Sequence, residues 1–290
     1  MRLKLSTGMR VLLTFSIACF TLACQDAWMG DRDVMQELRA DGVRYDRASA
    51  SIYFEKDAMT PEEMDAFANL IEQGIEDIEG LLKIPAAQKR EQTGKIFFFV
   101  SGKIDIGRSR VRTVMLPLWR VQKQAAPYLH ETAHIIAPCE SCPMWFSEGF
   151  VSWVQSHVSE NLRGYDAKVF ARRGNRGVDA DAARYLSTAQ GQAVLPFVLE
   201  GGEPPDIVAE RRAVGAPFYV LSQSLVKYLV EQAGIDKIMA LSESDDFDAE
   251  LARVMAKPPE EVKRDWLTAV RGARLSQASQ PTPIVLASPQ

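Results

Sequence analysis

Two histidines separated by three residues, His130-Glu131-Thr132-Ala133-His134, constrain this chain more than any other stretch. Four residues of α-helix turn through about 400°, so both imidazoles face one side, roughly one turn apart. Two ring nitrogens in that position can bind a single tetrahedral zinc ion at about 2.0–2.1 Å. Two of the three histidines in the chain lie in this pentapeptide, which argues against a chance pairing. Glu131 follows the first histidine directly. A bound zinc lowers the pKa of water toward about 7, and an adjacent carboxylate can then take its proton. The expectation is a metal helix from about Lys123 to Ala137, flanked by Leu129, Ile135 and Ile136 and stopped by Pro138.

A catalytic zinc takes three protein ligands and leaves the fourth position open. Glu148 is the third candidate, within Pro143-Met144-Trp145-Phe146-Ser147-Glu148-Gly149-Phe150-Val151. A helix, a tight turn and an antiparallel second helix can bring it back over the first. His-Glu-x-x-His followed by Pro-x-Trp-x-Ser-Glu-Gly resembles the thermolysin-like gluzincins, and more closely the bacterial peptidase MA-like domains. The resemblance implies that His130, His134 and Glu148 bind Zn2+ and that Glu131 is the general base of peptide-bond hydrolysis. It also implies an α+β, zincin-like two-lobe fold. A small N-terminal sheet and the active-site helix would face a mostly helical C-terminal lobe. The likeness covers roughly residues 50–272, and is dense at 130–150 and diffuse elsewhere. One departure stands out. The family usually carries a carboxylate four residues after the ligand glutamate, and this chain has Ser152 there. Changes around metal ligands can cost 10–100-fold in metal affinity or activity.

The residues around this stretch carry further candidates. Cys139 and Cys142 form a Cys-x-x-Cys between the two ligand segments, open to a disulfide, a free or redox-active pair, or extra zinc ligands. An oxidising compartment favours the disulfide. His157, further along the second helix, reads as a solvated helix-end residue rather than a ligand. Gly215 to Leu221 opens a strong helix with Pro217 in its first turn and a core stripe of Phe218, Leu221, Leu225 and Leu229; Gly234 ends it. A small-residue and tyrosine segment of this kind is similar to the gluzincin pattern near the zinc. Tyr219 is therefore the candidate donor to a tetrahedral oxyanion, with a packed aromatic as the alternative. Tyr228 reads as structural. Arg172 and Arg173 can reach a substrate carboxylate, although solvated charge is the default reading.

Elsewhere the pattern is that of a packed domain. Ser49 to Glu55 reads as a first strand. Thr60-Pro61-Glu62-Glu63 is a helix start with a capping box. Met64, Phe67, Ile71, Ile75, Ile78 and Leu82 then give one apolar stripe along that helix. Lys95 to Val100 reads as a buried strand, and Arg110 to Leu116 as a third strand ended by Pro117. That third strand is either an ordinary edge or one wall of the cleft, able to pair with an extended substrate. Residues 159–213 read as loops and short helices forming another wall. Asp248 to Met255 and Pro259 to Val270 read as two final helices, the second burying Val262, Trp266 and Val270.

The ends read differently. Arg2, Lys4 and Arg10 precede a charge-free apolar run from Val11 to Ala23, too short to span a bilayer comfortably and suited to a signal sequence. Thr21-Leu22-Ala23-Cys24 resembles a bacterial lipoprotein signal, which would make Cys24 an acylated N-terminus. Simple cleavage after Ala23 and an uncleaved anchor are the alternatives. The organisation expected is a signal at 1–23, a tether at 24–48, an N-terminal lobe at 49–158, a helical lobe at 159–272 and a disordered tail at 273–290. A chain of 290 residues, 47% hydrophobic, suits one or two globular domains, and a net charge of −4 gives no electrostatic case for nucleic acid. The expectation is an exported zinc metallopeptidase of the bacterial envelope, lipid-anchored to the membrane and acting on peptides or proteins. The alternative is a zinc-binding or partner-binding lipoprotein that keeps the fold without catalysis.

Overall fold

The computed structural model describes residues 30–84, 94–161, 177–202, 204 and 216–278. The signal segment, Cys24, Pro85, Arg172, Arg173 and residues 279–290 lie outside them. The fold is mixed α/β and mainly helical, with one small mixed sheet. Among the described residues no helix is long and apolar enough to cross a membrane.

In chain order the elements begin with α1 (30–41), β1 (Val43–Asp46), β2 (Ala50–Phe54), α2 (Pro61–Leu81), β3 (Ile96–Ser101), β4 (Arg108–Arg110) and β5 (Thr113–Pro117). The helices α3 (Leu118–Gln122), α4 (Tyr128–Ile136), α5 (Met144–Asn161), α6 (Val178–Tyr185) and α7 (Ala189–Leu199) follow. The chain closes with α8 (Ala216–Ala233), α9 (Ile235–Ser242), α10 (Phe247–Met255) and α11 (Pro259–Ala278).

The sheet order is β1-β2-β3-β5-β4. Strands β2, β3 and β5 are parallel to one another, and β1 and β4 run antiparallel on the two edges. Parallel strands are covered on both faces, which is why Ile52–Phe54 of β2 and Ile96–Val100 of β3 read as apolar runs rather than alternating ones. The strand period sorts them. Ile52, Phe54, Phe98, Val100, Val114 and Leu116 face the main core, whereas Tyr53, Phe99 and Met115 face the other side.

That second face corrects one expectation. Residues 24–48 read as a tether, yet 30–41 form a helix and 43–46 an edge strand. Val34, Met35 and Leu38 of α1 cover Tyr53, Phe97, Phe99 and Met115. Arg39 stands over the Phe99 ring at 5.3 Å. Arg108 Nε donates to Asp31 Oδ2 at 2.7 Å and ties α1 to β4. Three apolar residues among many charges are too few to show a period, so α1 is stabilised by the aromatic face it covers.

Helix α2 starts as the capping box requires. Glu63 N donates to Thr60 Oγ1 at 3.2 Å and Thr60 N to Glu63 Oε2 at 2.9 Å. Its stripe from Met64 to Leu82 is buried throughout. The strand expected at 110–116 is instead a hairpin. Val111 and Arg112 form its turn with φ of 32° and 62°, flanked by β4 and β5. Neither residue is a usual left-handed turn former, so nothing in the local sequence marked the reversal.

One continuous cluster of buried side chains runs from Ile52 through Leu129 and Trp145 to Trp266, so the N- and C-terminal parts share a core. Helices α6 and α7 occupy part of the stretch expected to wall the cleft, and α6 packs on α8 and α11 instead. The final helix extends to Ala278, past the point where a tail was expected. Its Val262, Trp266 and Val270 are buried, and Trp266 Nε1 donates to Ser224 Oγ at 3.1 Å.

The pairing of β1 has a direct test. Ser51 Oγ and Arg44 Nη2 donate to Asp46 Oδ1 at 2.6 and 2.9 Å, which lowers the Asp46 carboxyl from 3.8 to about 2. Its contribution to stability is then complete above about pH 3.8 and is lost as pH falls through about 2. A carbon-detected NMR titration should show that midpoint, and Ser51→Ala should move it back toward 3.8. A wild-type midpoint near 3.8 would mean that β1 does not pair with β2 in this register.

Candidate metal centre

Helix α4 is shorter than its apolar flanks predict. It begins at Tyr128 rather than near Lys123, behind the separate short helix α3. Pro127 accounts for the boundary. The residue before a proline is pushed out of the helical region, while a proline needs no backbone donor where a helix begins. Glu131 N donates to Pro127 O at 3.0 Å and closes the first turn. Tyr128, Leu129, Ala133 and Ile136 are buried, and α4 lies close on α2 at Gly74. A Cβ at Gly74 would stand 2.6 Å from Leu129 Cδ2 and 2.9 Å from Tyr128 Cε2. That packing turns His130 and His134 toward the opposite side, with ring centroids 5.0 Å apart and planes at 82°.

The chain then reverses through Pro138–Pro143. Cys139 and Cys142 are joined as a disulfide with Cα atoms 5.4 Å apart. Ser141 Oγ donates to Ser244 O at 2.8 Å, so the reversal is anchored to the loop before α10. This places Glu148, in the second turn of α5, against both histidines. His130 Nε2 lies 3.2 Å from Glu148 Oε2, and His134 Nε2 lies 3.7 Å from Glu148 Oε1.

These distances fit a metal. Donors at about 2.1 Å from a tetrahedral ion are separated by roughly 3.4 Å, and the two measured separations bracket that value. The three candidate ligand atoms lie within 4.8 Å of one another. Glu148 is 17% exposed, and its buried Oε2 makes no hydrogen bond of ordinary geometry despite the nearby His130 nitrogen. A buried carboxylate oxygen without a donor is costly unless a cation supplies the missing interaction. Burial works against the Glu148 carboxylate, yet the adjoining His130 and His134 hold its carboxyl well below the usual range. Burial likewise disfavours a charged His130, and Glu148 and Glu131 together outweigh it and raise its pKa.

A cavity of about 670 Å3 opens onto the triad. Glu131 and Tyr219 line it with the three donors. Glu131 is 7% exposed, and Ser109 Oγ of β4 donates to its Oε2 at 2.9 Å. The Tyr219 ring lies 6.1 Å from that of His130, at 70°. The structure thus brings together all five residues expected at the centre. The strand lining the cavity is β4 with its turn, not the longer strand expected, and no residue of α6 or α7 lines it.

Other candidates fall elsewhere. His157 stacks on Trp153 at 5.1 Å and is not among the grouped donors. Tyr228 borders a separate small cavity with Lys237 and Asp265. Ser152, one turn beyond Glu148, is buried at the head of a polar stripe with Ser156 and Ser159. Gln223 Nε2 donates to Ser156 Oγ across the α5–α8 contact at 2.8 Å. Sequence reasoning did not single out Ser109. A serine in a short edge strand carries no signal until the fold sets it beside Glu131.

No protein-family model matches the chain, and no curated protein matches it in sequence, so function is read from the geometry of the site.

Gly149 lets the two sides of the site meet. A Cβ there would lie 2.5 Å from Ser222 O, a backbone atom on α8 one turn past Tyr219. Gly149→Ala should therefore force α5 and α8 apart and lower stability by about 1–3 kcal/mol. Urea unfolding monitored by tryptophan fluorescence reads the loss. An unchanged midpoint would mean that the helices are not in this contact.

Proposed function

We propose that this protein is an exported zinc-dependent metallopeptidase of the gluzincin type, with the two-lobe architecture of that family. The observation that carries the reading is the convergence of His130, His134 and Glu148 beside Glu131 in one cavity. Two imidazoles and a carboxylate form a zinc donor set with room for an open position. Zinc held there supplies Lewis acidity and lowers the pKa of water.

The other groups have separate tasks. Glu131 takes the proton of the attacking water and later delivers it to the leaving amine. The Tyr219 phenol donates to the oxygen that gains charge when the peptide carbonyl becomes tetrahedral. The open cavity admits an extended peptide along β4. The basic start, apolar run and Ala23-Cys24 junction support export to the bacterial envelope and a lipid anchor at Cys24, with the domain facing the periplasm or exterior.

A second reading is favoured by one residue. Ser152 is buried four residues past Glu148, where the family that this stretch resembles carries a carboxylate, and it brings no charge. On that reading the protein binds zinc or a partner without hydrolysing peptides.

One set of measurements separates them: zinc content and cleavage of a peptide library for wild type, Glu131→Gln and Glu148→Ala. The peptidase reading expects one zinc in wild type and in Glu131→Gln, with cleavage by the latter reduced about 10²–10⁴-fold. Glu148→Ala should lose stoichiometric zinc. Equal cleavage by wild type and Glu131→Gln would favour the binding reading. A wild type without zinc would sink the peptidase and the zinc-binding readings together.

A further inference from the structure

We propose that Ser109 is a positioning residue for Glu131, an inference that rests on the peptidase reading above. A general base must present one carboxylate oxygen to the attacking water in a fixed orientation. A glutamate has three rotatable bonds, so a base directly following a metal ligand on a helix needs a restraint on its far end. Strand β4 supplies it. Ser109 Oγ donates to Glu131 Oε2 at 2.9 Å, from a partly buried position on the wall of the cavity.

The residue just before the strand leaves room at the other oxygen. A Cβ at Gly107 would lie 3.4 Å from Glu131 Oε1 and 2.8 Å from Pro127 Cγ. The bare backbone at Gly107 therefore lets β4 come close to the start of α4 without placing a side chain beside Oε1. One oxygen is restrained by the Ser109 hydroxyl two residues further along the chain, and on this proposal the second is the one presented to water. Pairing of β4 with β5 sets the height of Ser109: Ser109 stands opposite Val114, which is fully buried. The restraint on the base is thus referred to the sheet, not to the helix that carries the metal ligands.

Three substitutions test this with the full chain. Ser109→Ala removes the hydroxyl. Ser109→Thr keeps it, and Ser109→Cys keeps the shape with only a weak donor. The readouts are zinc stoichiometry, kcat and KM on a cleaved peptide, and the visible spectrum of the cobalt(II)-substituted protein. The expected result is unchanged metal stoichiometry in all three. Ser109→Ala and Ser109→Cys should lose about 10-fold or more in kcat with KM within about twofold, while Ser109→Thr stays within about threefold of wild type. The cobalt spectrum should shift for Ala and Cys and not for Thr. If Cys matches wild type, or if all three variants do, Ser109 only fills space and the inference is overturned. If wild type binds no metal or cleaves no peptide, the peptidase reading falls first and takes this inference with it. A fall in metal stoichiometry for Ser109→Ala would also overturn it, because the hydroxyl would then be supporting the ligands rather than the base.

Discussion

A carboxylate held between two imidazoles, largely out of water, is the interaction on which the rest of this structure depends. The Glu148 Oε2 atom is buried without a hydrogen bond of ordinary geometry, while His130 and His134 beside it hold the carboxyl well below the usual range. His130 and His134 stand 3.2 and 3.7 Å from its two oxygens. Three donors at such separations, on two helices joined by a short disulfide-closed reversal, are costly to assemble without a cation between them. On the reading proposed above, a metal ion bound there would turn that cost into binding energy and stabilise the fold.

The scaffold can be understood as the means of holding those helices in register. Gly74 lets α4 settle on α2, and Gly149 lets α5 settle on α8. Each contact relies on the absence of a side chain. The parallel strands support α2 from below through Ile52, Phe54, Phe98 and Val100. The antiparallel edge β4 reaches the cavity and brings Ser109 to Glu131. Helices α4 and α5 therefore carry the three grouped donors, and a short edge strand reaches Glu131.

His130, His134 and Glu131 were singled out by chain spacing, whereas Glu148 and Tyr219 came from the resemblance of their segments to a known family. His130 and His134 are fixed by helical period, Glu131 by adjacency and Glu148 by its place in a dense motif. The same holds for α2, where Thr60 and Glu63 announce the cap, and for β3, whose run of apolar residues is bounded by glycines. What was missed depends on partners distant in sequence. Helix α1 has too few apolar residues to show a period and forms against the aromatic residues of β2 and β3, Tyr53, Phe97 and Phe99. The β4–β5 turn uses Val111 and Arg112, so no glycine or asparagine marks it. The start of α4 is set by Pro127, which outweighed the apolar residues before it. Ser109 has no sequence signature, because its importance lies in one distance across the cavity.

X-ray absorption at the zinc edge, on purified protein loaded with one equivalent of zinc, tests the central claim most directly. The account predicts two imidazole nitrogens at about 2.0–2.1 Å and carboxylate or water oxygens at about 2.0–2.2 Å, with no sulfur. The signal should change on Glu148→Ala. A sulfur shell at about 2.3 Å would place the metal on Cys139 and Cys142, and a spectrum without histidine scattering would contradict the site altogether.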